Sequence, residues 1–159
     1  MGWPRRHGPE DLDRVLATLP DGYLVRPIGS SRFVLGATGA HVLAIDDGRA
    51  DAPREVGLLA SVTRSALAEH VAWVPFVHAL LVTEEERACP PATCVHPRLI
   101  PNALVEGPAV LGPEELGRLV ASVRAGALNG LEAVAPIRPP SAAPPAFPVP
   151  APQQLAPRP

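Results

Sequence analysis

The stretch Arg32-Phe-Val-Leu-Gly-Ala-Thr-Gly-Ala-His-Val-Leu-Ala-Ile-Asp46 has the pattern of a β-hairpin. Two apolar runs, at residues 33–35 and 40–45, flank the step from Gly36 to Gly39. Glycines around a short step favour a tight turn, because glycine adopts the backbone angles that such turns require. The stretch therefore predicts two adjacent antiparallel strands.

The spacing of apolar residues predicts further helices and strands on both sides of this hairpin. Pro9, Glu10 and Asp11 favour a helix start, and apolar residues follow at helical spacing. The same reasoning predicts further strands and helices at residues 23–28, 54–70, 74–82, 109–111 and 112–126. A proline-rich loop is expected at residues 84–102. The predicted fold class is α/β (α+β), in the order αβββαβ, with a mixed sheet flanked by helices.

Composition divides the chain into one folded domain and a tail. At 159 residues, 47% of them hydrophobic, the chain has material for a single core at residues 1–133. From residue 136 to 159, 10 of 24 residues are proline, so residues 134–159 are predicted to be a disordered tail. Two PxxP spacings, Pro136-Ile-Arg-Pro139 and Pro145-Ala-Phe-Pro148, suit binding by an aromatic groove of a protein partner. They also arise by chance in such a composition.

Charge argues against nucleic acid as the main partner. Residues 1–133 hold 12 arginines and all 16 acids, a formal charge of −4. Proteins that hold nucleic acid through its phosphates normally carry a basic cluster, and here only Arg5 and Arg6 are adjacent. No apolar run is long enough to span a membrane, and the start lacks the apolar core of a signal peptide. A cytoplasmic location is therefore expected.

The hairpin and its flanks resemble the nuclease-related (NERD) domain, a branch of the PD-(D/E)xK restriction-endonuclease-like fold. Members typically show an apolar strand, Gly-Pro-Thr-Gly and a second apolar strand, the pattern of residues 33–43. The resemblance covers residues 8–124 in order. Its other segments are Leu19-Pro-Asp-Gly-Tyr23, Val74-Pro-Phe-Val-His-Ala-Leu-Leu-Val82 and Leu111-Gly-Pro-Glu-Glu-Leu-Gly-Arg-Leu119. It implies a restriction-endonuclease-like core.

The resemblance also implies where a nuclease would carry its catalytic groups. The family's acids fall on Ser31 and Ala44, its lysine on Asp46, and its first-helix glutamate on Pro9 or Glu10. Metal-dependent phosphodiester hydrolysis needs carboxylates that hold Mg²⁺, and in this family a lysine beside the attacking water. Because all 14 basic residues are arginine, no shift of register supplies that lysine.

Two further segments carry groups capable of chemistry. Cys89, Cys94 and His96 are candidate metal ligands, but structural zinc sites usually have tighter pairs and a second pair elsewhere. The two cysteines are expected instead to be reduced thiols or to form a small disulfide.

The run Glu84-Glu85-Glu86 follows an apolar strand. It could bind a metal or a basic partner, but such runs are more often solvated strand ends.

Three hypotheses of function remain. The favoured one is a non-catalytic pseudo-nuclease domain without a cofactor, acting as a protein-interaction or scaffold module. The second is a residual Mg²⁺-dependent nuclease whose carboxylates come from Glu10, Asp13, Asp46 and Asp47. The third is a nucleic-acid-binding protein that has lost cleavage. The missing lysine disfavours the second, and the net charge disfavours the third.

Overall fold

The structure, a computed structural model, describes residues 8–85 and 87–133. These residues form an α+β fold in which four helices flank a five-stranded sheet. The elements in chain order are α1 (Pro9–Leu16), β1 (Leu24–Ile28), β2 (Ser31–Gly36), β3 (Gly39–Ile45), α2 (Ala52–Ala68), β4 (Val77–Val82), β5 (Thr93–Val95), α3 (Ile100–Val105) and α4 (Pro113–Arg124). Short 3₁₀ turns lie at Pro97–Leu99 and Leu131–Ala133.

The sheet is mixed, with strand order β1-β2-β3-β4-β5. β1, β2 and β3 pair antiparallel, and the hairpin register sets Phe33 opposite Val42 and Gly36 opposite Gly39. Gly39 has φ of +132°, a conformation that L side chains rarely adopt, so the turn needs glycine there. The chain then crosses through α2 to β4, which pairs parallel with β3. The predicted hairpin and helical crossover are confirmed.

The two faces of the sheet bury separate apolar clusters, because successive strand residues point to opposite sides. On one face Phe33, Val42 and Leu81 pack with residues of α2 and α4 such as Leu59 and Leu119. We call this the α2 face. The opposite face, called the α1 face, holds Val34, Leu43 and Leu80 with residues of α1 and α3: Leu12, Leu16, Ile100 and Leu104. Fully burying one leucine side chain contributes about 1.5–3 kcal/mol, so both layers stabilise the sheet.

The last strand differs from its predicted position. Residues 109–111 are not a strand; the amides of Val110 and Leu111 both donate to the carbonyl of Ala37, at 2.8 and 3.1 Å. The fifth strand is Thr93–Val95, parallel to β4, inside the segment predicted to be a loop. β4 begins at Val77 rather than at residue 74. These segments were placed wrongly because tertiary pairing, and not local pattern, decides their conformation.

Two other expectations concern the ends of the chain and the membrane. The predicted tail at residues 134–159 lies outside the described residues. Within the described ranges, no helix has the length and apolar character needed to cross a bilayer.

Candidate functional site

A cleft of about 640 Å³ opens on the α2 face, where β3 and β4 end and α2 begins. In open sheets with parallel strands, ligands commonly bind in the crevice beyond the carboxyl ends of the strands. Five carboxylates and one arginine line this cleft: Asp46, Asp47, Arg49, Glu55, Glu84 and Glu85. We call it the acidic cleft. Pro9, Ser31, Ala44, Leu81 and Thr83 also contribute to its lining.

Ser31 lies in the acidic cleft at the start of β2. Its side chain points to the α2 face, because Phe33 and Leu35, at alternate positions of the same strand, pack on that face. The residue is only 8% exposed. Its carbonyl accepts from Nη1 of Arg32 at 2.8 Å.

Asp46 follows β3 directly and is held from two sides. One carboxylate oxygen, Oδ2, accepts from Nη2 of Arg87 at 2.5 Å, and Oδ1 accepts from the amide of Gly48 at 2.9 Å. The Asp46 amide donates to the carbonyl of Val82, which extends the β3–β4 pairing by one bond. The carboxylate is 8% exposed and the arginine 36%. This ion pair neutralises the carboxylate that directly follows β3.

The first turn of α2 contributes the other side of the cleft. Ala52 begins the helix, and Glu55 lies in its first turn. The amide end of a helix carries partial positive charge, which stabilises nearby carboxylates and helps the acids to gather here. Asp47 accepts from Nε of Arg49 at 2.5 Å, and both side chains are 42% exposed.

The four carboxylates predicted for a residual nuclease are not brought together. Asp46 and Asp47 line the acidic cleft, whereas Glu10 is exposed on α1 and does not. Asp13 accepts from Nε of Arg32 at 2.6 Å on the α1 face, across the sheet from the cleft. In the described part of the chain, no group of three or more His, Cys, Asp or Glu side chains is arranged to hold a metal ion.

The candidate zinc ligands have other partners. Cys89 and Cys94 form a disulfide, so neither offers a thiolate to a metal in this form. His96 accepts through Nδ1 from the amide of Arg98 at 3.1 Å, and caps the 3₁₀ turn that follows β5. The three side chains thus have structural roles here, and the disulfide was one of the two alternatives that the sequence left open.

Two histidines stack at the opposite end of the sheet. His41 on β3 and His78 on β4 are in register, with ring centroids 5.2 Å apart. Phe76 approaches His78 edge-on at 4.9 Å. Burial, followed by the charge of His78, lowers the pKa of His41 to about 4. A neutral imidazole at this site, with no nucleophile described beside it, indicates a structural histidine.

The sequence interpretation missed part of the cleft. Glu55 was not singled out, although an acid in the first turn of a helix that follows a strand was a usable signal. The pair Glu84 and Glu85 was interpreted as a solvated strand end. Both residues are exposed, yet they also form one wall of the cleft.

No family model, curated protein or solved structure matches this chain. The site is therefore interpreted from its own residues, and the resemblance to nuclease-related domains stays a prediction.

Proposed function

We propose that this chain is a non-catalytic domain whose order of helices and strands resembles that of the restriction-endonuclease-like fold. It acts as a protein-interaction module through its acidic cleft. One observation carries the proposal. The positions at which the resemblance expects catalytic groups, Ser31, Ala44, Asp46 and Pro9, all line the same cleft. Their side chains are a hydroxyl, a methyl group, a carboxylate and a pyrrolidine ring, which together lack the groups for hydrolysis.

The chemistry of the cleft supports a loss of catalysis. Hydrolysis in this family requires two carboxylates on a metal and a lysine beside the attacking water. At the positions where the resemblance expects those groups, the cleft offers one carboxylate, that of Asp46, and Arg87 pairs with it at 2.5 Å. An arginine is always protonated in proteins, so it cannot act as a base towards water.

Charge favours a protein partner over nucleic acid. Five acids and Arg49 line the cleft, and Arg87 pairs with Asp46 beside them, so the surface has a formal charge of −3, which repels phosphate. The alternatives, a residual Mg²⁺-dependent nuclease or a nucleic-acid-binding protein without cleavage, both require phosphate to approach this surface.

A plasmid-nicking assay tests the proposal. The wild-type protein is incubated with supercoiled DNA and Mg²⁺ or Mn²⁺, beside the Asp46→Ala variant. We expect both proteins to give the background rate of the buffer. Cleavage that needs the metal and disappears in the variant would contradict the non-catalytic proposal. A gel shift at physiological salt complements it, and micromolar affinity for DNA would favour the nucleic-acid alternative.

A further inference from the structure

The disulfide between Cys89 and Cys94 joins two parts of the molecule that are held to different extents. Cys89 is 4% exposed and belongs to the apolar cluster of the α2 face. Cys94 is partly buried and lies in the middle of β5, a strand of three residues. Among the described strands, β5 pairs with β4 alone. One cysteine of the disulfide is therefore enclosed by the core, and the other lies at an edge of the sheet.

The loop that carries Cys89 has contacts of its own with α2. Pro91 lies so close to Gly57 that a Cβ at position 57 would come within 2.6 Å of Cγ of the proline ring. Ala92 is 7% exposed in the same apolar cluster, and its amide donates to the carbonyl of Cys89 at 2.7 Å. These contacts do not involve the sulfur atoms. We therefore expect Cys89 to stay buried when the bond between the two sulfurs is broken.

A free thiol at Cys89 also has a hydrogen-bond acceptor in place. The carbonyl oxygen of Arg87 lies 3.7 Å from Sγ of Cys89, within reach of a thiol donor. Buried polar groups in proteins are normally paired, and this carbonyl offers the thiol a partner. The Cα atoms of Cys89 and Cys94 are 5.8 Å apart, an ordinary separation for bridged cysteines, so the bond can form again from this arrangement.

Thiol–disulfide exchange depends on which of the two sulfurs the attacking thiolate can reach. The burial of Cys89 excludes a thiolate from its sulfur, whereas Cys94 is partly open at the edge of the sheet. Attack on Cys94 forms a bond between its Sγ and the incoming sulfur, and breaks the bond to Sγ of Cys89. Cys89 leaves as a thiolate and takes up one proton. The attacking thiol has lost one proton, so atoms, electrons and charge balance.

We propose that Cys94 is a redox-modification site, at which a small thiol exchanges with the disulfide and forms a mixed disulfide. Cys89 is released as a buried thiol, and later displaces the small thiol when the original bond forms again. A small thiol fits the surroundings, because Cys94 borders a groove of about 870 Å³ beside β5, the size of pockets for small molecules. The site lies outside the acidic cleft and does not depend on the proposed function.

Exchange with reduced glutathione tests the proposal on the full chain. The oxidised protein is incubated with millimolar glutathione and sampled early, before a second thiol completes the reduction. Each sample is unfolded in urea with excess N-ethylmaleimide, which labels every free thiol, and fragment-ion mass spectra locate both groups. We expect glutathione on Cys94 and maleimide on Cys89. Glutathione on Cys89, glutathione spread equally over both cysteines, or an unaltered disulfide overturns the proposal.

Two single-cysteine variants compare the thiols without exchange. Cys89→Ser keeps Cys94, and Cys94→Ser keeps Cys89; each reacts with iodoacetamide in its folded state, which circular dichroism verifies. We expect Cys94 to react at least about tenfold faster, because a buried thiol reacts only when the structure around it opens. In urea the two rates should be equal, which is the control. Equal rates in the folded proteins, or a faster reaction of Cys89, overturn the proposal.

Alanine variants of two helix glycines test what keeps Cys89 buried. In the Cys94→Ser background, Gly57→Ala should displace Pro91 and accelerate the alkylation of Cys89. Gly117→Ala is the matched control, since a Cβ there meets nothing within 4 Å, and should leave the rate unchanged. Equal rates in the two glycine variants overturn the role of the loop in protecting Cys89. DNA takes no part in these reactions, so their outcome and that of the plasmid assay are independent.

Discussion

Arg32, the first residue of the hairpin stretch, is a charged side chain that is only 8% exposed. Its guanidinium binds both oxygens of Asp13, at 2.6 and 3.1 Å, and donates to the carbonyls of Gly29 and Ser31. A buried cation is tolerated only with a counter-charge and full hydrogen bonding. The hydrogen bond from Arg32 lowers the pKa of Asp13 from its ordinary value of 3.8, partly opposed by desolvation.

Replacing Asp13 by alanine leaves that buried guanidinium without its counter-charge. We expect the free energy of unfolding at pH 7 to fall by about 1–3 kcal/mol, the usual cost of an unpaired buried polar group. Asp21→Ala, at an exposed turn position, is the control and should change stability little. Urea denaturation followed by circular dichroism measures both. Equal effects would mean that the guanidinium finds other partners.

The same pair predicts a pH dependence with a definite sign. The folded pKa of Asp13 lies below its unfolded value, so the carboxylate contributes its full stabilisation above the unfolded value. That contribution is lost as the pH falls through the folded value. The difference between wild type and Asp13→Ala should therefore shrink in acid below pH 4.

At the scale of elements, the sequence pattern correctly predicted the helices and turns whose conformation depends mainly on neighbouring residues. The glycines at positions 36 and 39 specify the β2–β3 turn, and an apolar stripe at helical spacing specifies α2. β5 has three residues, too few for any periodicity, and its partner is β4. Its position is set by tertiary pairing, which no local pattern expresses.

The candidate site, too, could be predicted from the sequence only in part. The position of Asp46 follows from the hairpin, because it is the first residue after β3. Glu55 and Glu84 approach it only after α2 and β4 have packed on the same end of the sheet. Sequence spacing carries no information on that approach unless the parallel pairing of β3 and β4 is already known.

Two glycines in the middle of helices should respond oppositely to alanine. A Cβ added at Gly57 of α2 would come within 2.6 Å of Cγ of Pro91, a ring in the loop between Cys89 and Cys94. A Cβ at Gly117 of α4 meets nothing within 4 Å. Gly117→Ala should stabilise by about 0.5–1 kcal/mol through lower chain entropy. Gly57→Ala should destabilise by about 1–3 kcal/mol through overpacking.

Thermal and urea denaturation of both variants measures this difference. Because the two changes are chemically identical, helix propensity cancels in the comparison and the contact with Pro91 remains. Stabilisation by both variants would show that the loop yields without cost, and that α2 does not depend on its packing against Pro91.

At the scale of the whole molecule, the sheet separates two polar features at opposite ends. The acidic cleft lies where β3 and β4 finish, and the His41–His78 stack lies where they start. In the cleft, Asp46 pairs with Arg87 and Asp47 pairs with Arg49. His41 is 9% exposed on the α1 face, and its burial favours the neutral imidazole.

Acid should therefore destabilise the molecule through His41 as the pH falls from 6.5 to about 4. The unfolded chain binds a proton at this residue near pH 6.5, whereas the folded chain does so only at about pH 4. The stabilisation is complete above pH 6.5 and is lost between these values, by roughly 3 kcal/mol in total for a pKa difference of this size. His41→Val should remove this slope, whereas His70→Gln, at an exposed position, should keep it. Urea denaturation at pH 7.5, 5.5 and 4.5 measures the slope. A slope that persists in His41→Val would show that the folded state admits the charge, and that neutrality at this end of the sheet is not required.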